Sequence, residues 1–197
     1  MQGRFHLGLG LAAGLSVGVI TSNGDAITAA CTTISCCFGS IFPDIDSATS
    51  KMGQISKTTS FFIRLLFGHR GIIHTPLALI LLDIPICILI NKYQLPWGLL
   101  IGFSTGYVLH LIQDSFTKRG IKWLAPFSKT SYSIFPMKSG KHDFTEFIIS
   151  AIIFLFVTSG SLLINYWVNG VTDYRIYFNF DQLSISHIVN TALTFIS

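Results

Sequence analysis

Five stretches of this 197-residue chain are apolar and nearly charge-free, and each approaches the length of a membrane span. Crossing a hydrocarbon core of about 30 Å takes roughly 20 mostly apolar residues. The stretches run about Leu7 to Thr21, Ala26 to Phe42, Ile73 to Ile90, Leu95 to Ile112 and Phe147 to Val168. Charged residues make up 11% of the chain, against about 25% in soluble domains. That deficit excludes a free-standing cytosolic domain, a disordered tail and a coiled coil. The expected fold is all-α, a polytopic membrane helical bundle of about five spans. Residues 1–168 would form one membrane-embedded domain, followed by a tail, 169–197.

Local signals fit this organisation. Gly14-x-x-x-Gly18 in the first stretch permits close approach of a second helix. Asn23-Gly24-Asp25 predicts a tight turn, so the first two stretches read as a helical hairpin. Cys31, Cys36, Cys37 and Cys87 lie inside apolar runs without zinc-finger or disulfide-framework spacing, and read as buried apolar residues. In the tail, Tyr174, Ile176, Phe178 and Phe180 alternate like a short strand, and Leu183 to Ile196 has the pattern of an interfacial helix.

Lys and Arg set the orientation. Eleven of the thirteen fall at the N-terminus or in the two long loops, leaving Lys92 and Arg175 for the other side. The N-terminus and both long loops are therefore expected in the cytoplasm of a multi-pass protein, with the tail outside. The net charge of +4 is modest and dispersed, so it carries no nucleic-acid footprint.

Ionisable groups in or beside spanning segments are costly and mark functional sites. His6 precedes the first stretch. Asp44 and Asp46 follow the second, in Pro43-Asp44-Ile45-Asp46. His69 and His74 precede the third, His110 and Asp114 close the fourth, and His142 and Glu146 precede the fifth. Under the orientation set by Lys and Arg alone, all of them fall in one layer at the cytoplasmic helix ends. His110 and Asp114, at i and i+4, share a helix face and can meet one ion. His142 and Glu146 repeat that spacing. Arg70, between His69 and His74, has the planar donor fork that suits a phosphoryl oxygen.

Imidazoles and carboxylates without thiolate suit zinc, manganese or iron. The candidates outnumber the ligands of one tetrahedral ion, which points to two or more ions or to an extended outer shell. That surplus favours catalysis over a closed structural site.

At these motifs the sequence resembles the YdjM-like family, LexA-regulated, inner-membrane-associated proteins described as metal-dependent hydrolases. The resemblance rests on His6, Pro43-Asp44-Ile45-Asp46, His69-Arg70-Gly71-Ile72-Ile73-His74-Thr75 and Gly106-Tyr107-Val108-Leu109-His110-Leu111-Ile112-Gln113-Asp114. Thr117, Gly120 and Pro126-Phe127 continue it, and Glu146 falls where the family places a late glutamate. The family often has glycine four residues before that glutamate, where this chain has His142. A more distant similarity links His110/Asp114 and His142/Glu146 to the His-x-x-x-Asp and His-x-x-x-Glu pairs of zinc-dependent phospholipase C. That class also ligates metal through its mature N-terminal residue, for which the sequence offers no evident counterpart.

The resemblance implies a metal-dependent hydrolase in the inner membrane. His6, Asp44, Asp46, His69, His74, His110, Asp114 and Glu146 would hold metal. Asp46 or Glu146 would be general base, and Arg70 would stabilise phosphoryl charge. A site at headgroup depth suits a membrane lipid or lipid-linked phosphoester. The alternatives are a metal-ion transporter and a metal-stabilised scaffold without turnover.

Overall fold

The computed structural model describes residues 1–22, 25–47, 50, 54, 72–135 and 143–169. They form five helices: α1 (Gly3–Thr21), α2 (Ala26–Ile41), α3 (Pro76–Tyr93), α4 (Gly98–Ser115) and α5 (Asp143–Asn169). Short 3-10 turns cover Phe42–Asp46 and Ile72–His74. Among the described residues no strand forms, and Ile121 and Tyr132 make one isolated antiparallel bridge. The fold is thus an all-α membrane bundle. Gly3–Thr21, Ala26–Asp46 and Pro76–Tyr93 are each long and apolar enough to cross a membrane. His69, Arg70, His142 and the tail beyond residue 169 lie outside the described residues.

Caps fix the helix ends, at the hydropathy boundary for the start of α2 and away from it for the starts of α1 and α3 and the end of α4. Helix α1 starts at Gly3, not Leu7, so His6 lies inside its first turns. The N–H of Gln2 finds a carboxylate oxygen of Glu146 at 3.0 Å, which satisfies a donor that a helix start leaves open. Helix α2 starts after Asp25, whose side chain accepts from the backbone of Thr28 at 2.8 Å. Helix α3 starts at Pro76 rather than Ile73. Proline has no N–H to lose at a first helical position, and Thr75 Oγ1 accepts from Ala78 N at 3.3 Å. It ends where Gln94 turns left-handed, at φ 52°. Helix α4 runs on past Ile112 to Ser115, because Thr117 closes its end with N–H and hydroxyl bonds to Asp114 O at 3.0 and 2.7 Å.

Helix α4 is the centre of the bundle and packs most extensively on α2. Glycine makes that approach possible. A Cβ at Gly106 would collide with the carbonyl oxygen of Cys36 and lie 2.7 Å from Ser40 N, and one at Gly102 would strike Thr32 O. Gly14 and Gly18 do the same between α1 and α2, where an added Cβ would fall 2.9 Å from Thr33 Cα and 2.8 Å from Ala29 O. Beyond this seam, Ala78 and Leu79 of α3 meet Phe103, Tyr107 and Leu111 of α4 and Ile121. Asp83 accepts from Ser104 Oγ at 2.9 Å, a polar pair between α3 and α4.

After α4 the chain folds back over the helix end. Ile121 and Tyr132 exchange backbone bonds at 3.0 and 2.9 Å, and Ile134 N donates to Ser115 O at 2.8 Å. Trp123 Nε1 donates to Ser115 Oγ at 2.9 Å. This basic loop, which in sequence sets the orientation and continues the family resemblance, seals the end of α4.

Candidate metal centre

The bundle brings the N-terminal ends of α1 and α3 beside the C-terminal ends of α2 and α4. His6 comes from α1, Asp44 and Asp46 from the turn after α2, His74 from the turn before α3, and His110 and Asp114 from α4. These six side chains come from motifs spread over more than one hundred residues of sequence, and the fold gathers them at one end.

His110 is the hub. Its ring stacks on His6 at 4.0 Å between centroids and 22° between planes. His74 meets it edge-on at 5.2 Å. Nε2 of His110 lies 3.4 Å from His74 Nε2, 3.8 Å from Asp114 Oδ2 and 4.0 Å from Asp44 Oδ1. His74 Nε2 lies 3.9 Å from both Asp44 Oδ1 and Asp114 Oδ2. Donor atoms of His6, Asp44 and His110 lie within 4.8 Å of one another, as do those of His74, His110 and Asp114. The two groups share His110.

The ring orientations have identifiable causes. Nδ1 of His110 bonds Ser40 O at 2.8 Å, so that nitrogen carries the proton and Nε2 turns its lone pair to the cluster. Nδ1 of His6 bonds Gln113 Oε1 at 2.7 Å. Gln113 is held in turn by Phe5 O at 3.3 Å and Ser150 Oγ at 2.9 Å. Asp46 Oδ2 faces His74 Nδ1 at 3.4 Å. His6 and His110 therefore present one nitrogen inward and are held by an amide or a carbonyl at the other, the arrangement that tunes metal-ligating histidines, while His74 has a carboxylate near its outer nitrogen.

Burial sharpens the chemistry. His6, His110 and Asp114 are 0% exposed, whereas the side chain of Asp44 retains 19%. Nε2 of His6 is buried without a hydrogen-bond partner among the described residues, 3.5 Å from Asp114 Oδ1. Buried polar atoms are ordinarily satisfied. A divalent cation fits this donor set, since it satisfies imidazole lone pairs and carboxylate charge together.

Glu146 is buried at the start of α5, where it holds the Gln2 amide rather than joining either converging group. Asp46 stands behind His74, so its geometry is that of an orienting carboxylate. Three partners carry weaker sequence signals. Gln113 sits between His110 and Asp114 in the motif and is legible only once His6 is known to face it. Ser40 contributes a carbonyl, which no side-chain pattern encodes. The amino nitrogen of Met1 makes an ion pair with Asp114 Oδ1 inside the cluster, supplying a nitrogen there that the pattern of side chains does not display.

A family model described as "YdjM inner membrane protein" matches residues 1–178. The chain belongs to that family. The YdjM match runs through every motif of the cluster and past the end of α5. Among curated relatives, the uncharacterized protein YvsG of Bacillus subtilis is 31% identical over 57% of this chain and 67% of its own length. The inner membrane protein YdjM of Escherichia coli is 34% identical over 44% of each chain, and that of Shigella flexneri matches equally. The chain thus spans under half the length of those two YdjM proteins. No solved structure matches.

Proposed function

We propose that this YdjM-family protein is a membrane-embedded metal-dependent hydrolase of the inner membrane, acting at the cytoplasmic face on a phosphoester borne by a lipid. The observation that carries this reading is the convergence of His6, Asp44, His74, His110 and Asp114 at one end of a membrane bundle. The excess of Lys and Arg in the loops at that end supports the cytoplasmic assignment.

His6, His74, His110, Asp44 and Asp114 would hold one or more divalent ions, zinc best matching the imidazole share, with manganese or iron also suited. When bound, the ion would supply Lewis acidity, drawing the pKa of water toward about 7 and neutralising charge on phosphoryl oxygen. The protein's own groups do the rest. Ser40 O and Gln113 fix the rings of His110 and His6, so little reorganisation accompanies the reaction. Asp46 lies 3.4 Å from His74 Nδ1, where its carboxylate can offset positive charge on that ring. Asp44 keeps an accessible edge, which marks the side from which water and substrate would reach the site. The buried walls exclude bulk water from the remaining groups.

The test is reconstitution. Protein purified in detergent should carry zinc or manganese by plasma emission spectrometry and release headgroup or phosphate from a panel of phospholipids and lipid phosphates. Chelation should remove both metal and turnover, and metal added back should restore them. Failure of any divalent ion to bind or to restore turnover defeats the reading.

The outer shell makes a second expectation. Gln113→Leu removes the partner of His6 Nδ1 and should weaken metal affinity by about 10–100-fold. Competition against a chelating dye measures this directly. An unchanged affinity would mean that His6 is no ligand.

A further inference from the structure

On the side of Phe42, α2, α3 and α4 border an open groove of about 450 Å³. Phe42 and Phe103 form its end nearest the cluster, Leu82, Ile86 and Leu89 its α3 wall, and Leu99 its floor on α4. Phe42 belongs to the same 3-10 turn as Asp44 and Asp46. Its ring lies 5.6 Å from Phe103 and 6.5 Å from Tyr107. Among the described residues the lining is hydrocarbon apart from Ser35, whose hydroxyl is engaged by the Thr32 and Gly98 carbonyls at 3.1 and 3.4 Å.

Resting on the hydrolase reading, we propose that this groove binds one acyl chain of the lipid whose headgroup enters the metal cluster. Position and size support that occupant. The groove starts at Phe42, two residues before the accessible Asp44, and runs away from the cluster along α3. From Leu82 to Ile90 a helix rises about 12 Å, against about 15 Å for one leaflet of a 30 Å hydrocarbon core. That wall begins six residues past the start of α3, about 9 Å along the helix, so an acyl chain whose headgroup sits beside Asp44 would reach it with its middle and distal carbons. A water-soluble substrate has no use for such a wall. The helix across the groove, Pro76–Tyr93, buries few of its own side chains in the bundle, among them Ala78, Leu79 and Ile90. It therefore leaves room along α2 and α4 without opening a core seam.

The experiment is native mass spectrometry of detergent-purified protein offered dioleoyl phosphatidic acid or glycerol 3-phosphate, with metal content measured in parallel. The wild type should retain the lipid and not the soluble phosphate. Leu89→Trp and Ile86→Trp, filling the groove from two positions, should lower lipid retention by about tenfold while metal content stays at the wild-type level. Leu155→Trp, on an exposed face of α5, should change neither. Lipid retention unaltered in both groove variants overturns the proposal, as does equal loss in Leu155→Trp. A dimer that Leu89→Trp dissociates would also overturn it, by making a second copy the occupant. If Ile86→Trp fails to fold, Leu89→Trp, whose wild-type side chain is half exposed, carries the test. Because retention is read without turnover, absent hydrolysis would count against the enzyme reading and leave the groove result standing.

Discussion

His110→Ala should strip the protein of bound metal and bring turnover to the uncatalysed background, while the helical content survives. His110 is the residue shared by both donor groups, within 4.0 Å of His74, Asp44 and Asp114 through one nitrogen. Its loss also leaves Asp114 and His74 buried without the imidazole that faces them both. The effect on metal affinity should exceed the roughly 10–100-fold associated with outer-shell positions. Asp46→Asn is the informative comparison. Asp46 faces the cluster from behind His74, 3.4 Å from its Nδ1, so its replacement should weaken metal binding within that range and preserve ion content at saturating metal. Plasma emission on both variants, alongside circular dichroism, separates the cases. Full metal content in His110→Ala would remove the cluster as the binding site.

The sequence displays the membrane class, the five helices and the layer in which the ionisable residues fall, and the reason is physical. Hydropathy reports transfer into hydrocarbon directly, and an isolated His or Asp in such surroundings stands out because burial is costly. His110 and Asp114 are legible as a pair because helix geometry alone places them together. What the sequence hides is anything carried by backbone or by long-range contact. Ser40 acts through its carbonyl, Met1 through its amino nitrogen, and Gln113 through a contact with His6 across 107 positions. The helix starts are hidden for a related reason. The Gln2 amide is satisfied by Glu146 on another helix, so hydropathy places the first boundary too late and puts His6 outside a helix that contains it. Asp46 and Glu146 read in sequence as candidate bases, yet tertiary contacts engage one with His74 and the other with the Gln2 amide. Asp44, two residues from Asp46, keeps the accessible edge.

Gly106→Leu should disrupt both the fold and the site. Helices α2 and α4 touch at Gly106, where even a Cβ would meet the Cys36 carbonyl and the Ser40 amide. Overpacking a core typically costs about 1–3 kcal/mol, occasionally more. Here the obstacle is backbone rather than a side chain that can swing aside, so a cost above about 3 kcal/mol and a marked loss of folded protein in detergent are expected. The consequence for chemistry follows from the next turn of the helix. His110 lies four residues on, and its Nδ1 is held by Ser40 O at 2.8 Å. Any displacement of α2 from α4 therefore releases the ring that anchors the cluster. Gly106→Ala, the smaller insult, makes that coupling measurable. It should retain a cooperative thermal transition at a lower midpoint, with metal affinity falling in the same variant. Wild-type metal affinity in a measurably destabilised Gly106→Ala protein would mean that the α2–α4 seam holds the bundle without setting the geometry of His110.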